Sequence, residues 1–347
     1  MEFSILPFTL EDQLILATLV YTNFGPFVSR DEKITIKEAC KRVLSVDFKP
    51  ENFRVRNDYL LIKAILDAPR FSSLYISDVE ERFDKGLTQF FALTIHLDKA
   101  KLIAYRGTDN TVTGWKEDFE MAYEPEVPSQ REALKYLNSI ARKYSSPLML
   151  TGHSKGGNLA VYAAANTSDR VKKRIKAVYN NDGPGFNEAS RTHETISSIS
   201  DRVVTIIPQC SFIGMLMEHS DDYHIVSSSA RLILQHDPYS WLFDGPRFKY
   251  EKERTQNSVL FERVVSTWLR NASREEREGF VDGAFKCLSA TGVDNFSGSN
   301  FEILFRTPDV IKRYRALDDK EKAVMKKVVV KLIQATRENI GKTILGN

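Results

Sequence analysis

The stretch Leu150–Ala165 reads LTGHSKGGNLAVYAAA. Its first residues continue a compact apolar run from Pro147 to Thr151, which reads as a buried strand, and Asn158–Ala165 reads as a helix of small residues. Between them, Gly152-His153-Ser154-Lys155-Gly156-Gly157 puts a serine inside a glycine-framed turn. A chain passing straight from a strand into a helix must turn sharply, and glycines two residues either side of the turn's apex remove the Cβ atoms that would clash. Working outward, Gln89–Leu97 and Lys101–Tyr105 are expected as neighbouring strands joined at Asp98-Lys99. An amphipathic helix is expected over Gln130–Tyr144, and further buried strands over Ile175–Tyr179 and Val203–Ile207. Strand and helix alternating at this spacing predict a mainly parallel sheet covered by helices on both faces, an α/β fold.

The turn fits G-x-S-x-G, the pattern in which a serine stands exposed between a strand and a helix as the nucleophile of an α/β-hydrolase. A plain tight turn is the alternative reading, but the strand before and the alanine-rich helix after it favour the hydrolase elbow. A phosphate-binding loop is excluded because the G-x-x-x-x-G-K-[ST] spacing is absent. Ser154 is therefore the candidate nucleophile. Lys155 follows it, and a cation beside a helix N-terminus is unfavourable by about 0.3–1 kcal/mol. Its ammonium is expected to reach a nearby carboxylate or water while its stem packs on the surface. The competing reading points it into the pocket, towards anionic substrates.

His153-Ser154 with Gly156-Gly157, and the upstream Tyr105-Arg106-Gly107-Thr108-Asp109 followed by Trp115 and Asp118, resemble the class 3 lipases, which carry a GHSLGG elbow and an FRGT strand end with W-x-x-D after it. The pattern resembles most an uncharacterised bacterial branch with a GHSKGGNLA elbow, and it covers about Phe71 to Trp241. The resemblance implies an α/β-hydrolase fold, hydrolysis of acyl esters such as lipids, and a lid over Asn110–Val127. It also implies an oxyanion hole from the backbone N–H groups of Thr108 and Lys155, where charge builds on the substrate carbonyl.

In this fold the base follows the serine in chain order. His219, in MEHSDDY before a short strand at Tyr223–Val226, is the favoured base, and His236, in LQHDPYSW, is the rival. His153, His96, His193 and His224 are read as structural or surface residues. The class 3 pattern puts an aspartate after the strand Val203–Pro208, where this chain has Gln209-Cys210-Ser211. Asp182, in the turn NNDGPG after the preceding strand, is the substitute acid, with Glu218, Asp221 and Asp237 as alternatives. Asp-Gly-Pro-Gly is also ordinary turn chemistry. The HSDDYH cluster matches no defined metal-ligand spacing, so no metal and no organic cofactor is expected.

The 347 residues can bury a large core, and a net charge of +3 is too small to imply a nucleic-acid partner. Three cysteines far apart, Cys40, Cys210 and Cys287, form neither a disulfide framework nor a CxxC motif, consistent with a reducing compartment. The N-terminal apolar run Leu14–Val20 is too short to span a bilayer and has no basic leader, so a cytoplasmic protein is expected. From Lys312 to Lys342 ten Lys and Arg stand against four acids, +6 against −3 for the rest of the chain. Such a segment is usually a helix with a solvated face, and it can also dock on anionic membranes. The expected organisation is a helical region over 1–70, an α/β-hydrolase core over 71–245 and a helical region over 246–347. The expected function is a serine esterase or lipase-like hydrolase. The alternative is a catalytically inactive lipase-like protein that binds lipid or scaffolds a partner.

Overall fold

The computed structural model describes residues 7–46, 53–84, 88–108, 112–190, 192–218, 222–289 and 308–344. Its frame is a nine-stranded sheet in the order β1-β2-β3-β4-β5-β6-β7-β8-β11. The strands are β1 (Ile34–Thr35), β2 (Tyr75–Asp84), β3 (Thr88–His96), β4 (Lys101–Tyr105), β5 (Leu148–His153), β6 (Ile175–Asn181), β7 (Val203–Pro208), β8 (His224–Val226) and β11 (Tyr250–Glu251). A separate small hairpin joins β9 (Phe243–Asp244) to β10 (Arg247–Phe248). β4 to β8 run parallel, whereas β1 to β4 pair antiparallel and β11 closes the other edge antiparallel to β8. This is the α/β-hydrolase fold, a large, mostly parallel sheet with helices on both faces and further helices at both ends of the chain.

Side chains alternate across the strands and so build two cores. Phe91, Leu93 and Ile95 of β3 with Leu102 and Ala104 of β4 face one way, and Phe90 and Ala92 with Ile103 and Tyr105 face the other. The first face is covered by α1 (Leu10–Leu19), α2 (Ile36–Leu44) and α3 (Phe53–Leu66), through Leu16, Leu19, Ile36 and Ile62. A four-residue turn, α4 (Pro69–Ser72), leads into β2. The second face is covered by α6 (Pro128–Lys143) and α7 (Lys155–Asn166), through Ala133, Leu137, Leu159 and Ala163. The N-terminal helices are thus one wall of the sheet. Thr9 caps α1 reciprocally with Asp12, as a capping residue should.

Within the region expected to be helical over 1–70, the stretch Ile34–Leu44 is not helical throughout. Its first two residues pair with Ile76 and Tyr75 as the edge strand β1, and Thr35 caps the helix that follows. α5 (Val112–Glu120) lies between β4 and α6, and the short α8 (Asp169–Lys172) and α9 (Thr192–Thr195) flank β6. Beyond the sheet come α10 (Gln256–Asn271), α11 (Arg274–Ser289), α12 (Pro308–Ala316) and α13 (Asp319–Ile344). Among the described residues no helix is long and apolar enough to cross a membrane. The three cysteines are free and buried.

Candidate active site

β5 delivers Ser154 to the sheet's carboxyl end, and α7 starts at the next residue. Ser154 sits at φ 58°, ψ −132°, a region that L-residues occupy only when their surroundings force it. The glycine pair explains how the turn closes. A Cβ on Gly152 would lie 2.1 Å from the carbonyl of Gly156, and one on Gly156 would lie 2.2 Å from the carbonyl oxygen of Tyr105. The Ser154 N–H donates to the Asn181 carbonyl at 2.9 Å, which ties the elbow to the end of β6.

Asp182, the residue after Asn181, is fully buried at φ 51° and donates its own N–H to Ile206 of β7 at 2.8 Å. Its Oδ1 accepts from Ser211 Oγ at 2.5 Å and from the Gly214 N–H at 3.2 Å, and its Oδ2 lies 2.6 Å from His236 Nδ1. A carboxylate can only accept, so Nδ1 carries the imidazole proton and Nε2 is the basic nitrogen. His236 ends the 3-10 turn Leu232–His236.

His153 fixes the backbone of that turn. Its Nε2 lies 2.8 Å from the His236 carbonyl oxygen, and its Nδ1 lies 2.9 Å from Tyr21 Oη. The carbonyl requires the proton on Nε2, so Nδ1 accepts from the tyrosine. The two imidazoles lie 4.6 Å apart, tilted by 33°. Thus the residue before Ser154 holds His236, and the residue before Asp182 holds Ser154. Of the candidates named from sequence, Asp182 and His236 are in direct contact, and Ser154 is tied to both through its chain neighbours and the backbone.

His219 and Asp221 lie outside the described residues. Glu218 is exposed and its backbone bridges to Phe186, while Asp237 accepts from the Tyr239 N–H at 3.2 Å. His224 is exposed against Tyr250, and His96 is held by Ser77 Oγ at 2.8 Å. Ser211 and Gly214 were not named as site residues by the sequence reading. Ser211 lies in the Gln209-Cys210-Ser211 segment after β7, and it donates to an acid supplied from the end of the neighbouring strand. Tyr21, in the first helical layer, gave no sequence signal at all.

On the other side of the serine, β4 ends at Tyr105 and the turn Arg106-Gly107-Thr108 passes against the elbow: a Cβ on Gly156 would lie 3.0 Å from the Gly107 nitrogen. The first N–H groups of a helix have no partner within it and carry its partial positive charge, and the Lys155 N–H is the first of α7. Thr108 Oγ1 donates to Asp118 Oδ2 in α5, which anchors the end of this turn.

The Lys155 ammonium reaches carboxylates, as expected, but it does so in the interior and not at the surface with its head in water. Both it and Glu117 are 1% exposed, and Nζ lies 3.0 Å from Glu117 Oε2, 3.6 Å from Asp118 Oδ1 and 3.3 Å from both oxygens of Gln89. Consecutive carboxylates on α5 and a strand carbonyl make a polar cradle that offsets the desolvation of the charge. Burial pushes the Asp118 carboxyl up to about 6, against the pull of Lys155 and the Thr108 bond. Glu117 also accepts the Ser129 N–H at 2.7 Å, so α5 is pinned to both the elbow and α6. Further along the expected lid, Met121 and Tyr123 are buried, whereas Phe119 is exposed and meets the Phe285 ring of α11 at 5.7 Å. The Trp115 side chain lies outside the described residues. Among the described residues no group of three or more His, Cys, Asp and Glu side chains is placed to hold a metal ion.

A family model described as Mbeg1-like matches residues 65–286, well over half of the chain, including Thr108, Ser154, Lys155, Asp182 and His236. No curated protein matches. Solved structures similar to the chain include a mutant form of MDLA from Penicillium cyclopium, 13% identical with a TM-score of 0.43, covering 72% of this chain and 88% of that one. A fungal lipase is 12% identical with a TM-score of 0.43, covering 77% and 92%. The Rhizomucor miehei lipase propeptide complex is 12% identical with a TM-score of 0.38, covering 72% and 76%.

Proposed function

The chain belongs to the Mbeg1-like family, and from that premise and the geometry of the elbow we propose that it is a serine hydrolase that cleaves acyl esters through an acyl-enzyme. Ser154 Oγ attacks the ester carbonyl carbon as His236 Nε2 takes its proton. Asp182, bonded to Nδ1, holds the ring in that tautomer and stabilises the imidazolium. The Thr108 and Lys155 N–H groups receive the oxyanion. The imidazolium then gives its proton to the leaving alcohol. Water, activated by the same histidine, hydrolyses the acyl-enzyme and returns Ser154 to its hydroxyl form. This chemistry needs neither a metal nor an organic cofactor.

The observation that carries this reading is the short bond from His236 Nδ1 to the buried Asp182, in a turn that His153 ties to the serine's own strand. It supports His236 as the base in this reading. Lipid esters are the proposed substrate class, supported by the class 3 resemblance of the elbow and of the RGT turn. The test is hydrolysis of chromogenic acyl esters of graded chain length. Activity that disappears with Ser154→Ala supports the reading. A folded protein inactive across the series supports a non-catalytic, lipid-binding role instead.

A further inference from the structure

The outer face of α13 combines features that an ordinary solvated helix keeps apart. Its inner stripe holds Val328, Ala335 and Asn339 at 0%, 2% and 5% exposure, against α10 and α11. The cations flanking that stripe are used internally: Lys327 and Lys331 both pair with Glu276 at 2.5 Å. Opposite lies a second stripe, Lys322, Lys326, Val329, Ile333, Arg337 and Ile340, whose spacing of three and four residues keeps it on one side of the helix. Val329, Ile333 and Ile340 are 47%, 49% and 39% exposed, and Val330 beside them is 43% exposed. Among the described residues Lys322, Lys326 and Arg337 take part in no ion pair. Beyond Asp319 in the first turn no carboxylate falls on this stripe: Glu321 caps the helix with Asp318 and pairs with Lys286, and Glu338 falls on another side of the helix.

We propose that this stripe is a docking surface for an anionic lipid bilayer. Branched aliphatic side chains interleaved with unpaired cations suit an interface where apolar groups enter the acyl boundary and long basic side chains reach the phosphates. A second copy of the chain fits poorly, since two stripes meeting face to face would bring cations of one copy near cations of the other. The preceding helix extends the same chemistry, with Ile311 and Tyr314 exposed at 46% and 40% among Lys312, Arg313 and Arg315. The surface is independent of the chemistry proposed for Ser154.

The test is co-sedimentation of the full chain with vesicles of phosphatidylcholine alone and of phosphatidylcholine and phosphatidylserine in equal parts. Binding is expected to the anionic vesicles only, and to weaken with salt. Replacing the three cations together, Lys322→Gln, Lys326→Gln and Arg337→Gln, is expected to weaken it on the order of a hundredfold. Val329→Ser with Ile333→Ser and Ile340→Ser should also abolish it, while unchanged melting shows both variants folded. Ser154→Ala should bind as the wild type does, which separates docking from hydrolysis. Equal binding to both vesicles, no binding to either, or undiminished binding by the two surface variants overturns the proposal. So does a dimer that the same substitutions dissociate.

Discussion

His236 Nδ1 lies 2.6 Å from Asp182 Oδ2, across 54 residues of sequence, and the carboxylate is completely shielded from solvent. A carboxylate so placed can do what an amide of the same shape cannot: it holds the imidazole proton on Nδ1 and, in the proposed mechanism, stabilises the positive charge that develops on the ring. Asp182→Asn is therefore expected to leave the fold intact and to lower kcat by about 10³–10⁴ with little change in KM. Steady-state ester hydrolysis beside a thermal melt checks this. An active Asp182→Asn enzyme would remove Asp182 from the mechanism.

Lys155 predicts the opposite balance, a large effect on stability. Lys155→Leu installs the residue that class 3 lipases carry but leaves Glu117 buried with no cation. Breaking a buried pair in this way is expected to cost about 3–5 kcal/mol in denaturant unfolding. Adding Glu117→Leu should recover part of the loss, so the double variant is less destabilised than the sum of the singles. Additive losses would mean that the two charges do not support one another.

Tyr21 has a smaller, more local part. Tyr21→Phe removes the donor to His153 Nδ1 and should cost about 0.5–1.5 kcal/mol of stability. Freed from that bond, His153 holds the His236 turn less firmly, so kcat should fall more than KM rises. A Tyr21→Phe protein with unchanged kcat would show that the turn does not need this support.

His96 carries the acid sensitivity of the far side of the sheet. Burial first, then Lys101 and Lys33, lower its pKa to about 4, while Asp78 opposes them and Lys143 adds to them. Between about 4 and 6.5 the unfolded chain binds more protons at this residue than the folded one, so stability rises with pH through that window and is lost as pH falls. His96→Gln is expected to flatten this part of the curve, measured as unfolding free energy against pH. A variant that loses stability across the window as steeply as the wild type contradicts this account of His96.

How much of this could be read from sequence follows from which constraints are local. The elbow was legible because a strand-to-helix turn needs glycines at fixed offsets and a helix of small residues, all within sixteen letters. β3, β4 and the parallel strands were legible from short apolar runs. β2 was not, because the strand shifts register between Ser77 and Glu80, with Asp78 at φ 56°, and its last four residues are exposed, which breaks the alternation. The acid was legible only as one turn aspartate among several carboxylates, since Ser211 and Gly214 meet it only through the sheet. The choice between His219 and His236 rested on the order of strands, whereas the tie between His236 and His153 spans 83 residues and leaves no trace in spacing. That Lys155 needs a carboxylate was legible from its place beside a helix N-terminus, but its burial was not, because Glu117 and Asp118 enclose it from a helix 38 and 37 residues away in sequence.

The measurement that tests the central claim most directly is the rate of labelling by a fluorophosphonate, read by intact mass. The account predicts one phosphonyl adduct on the wild type, none on Ser154→Ala, strongly slowed labelling of His236→Ala and wild-type labelling of His219→Ala. A folded wild type that takes no label, or a Ser154→Ala protein that labels like the wild type, would contradict it.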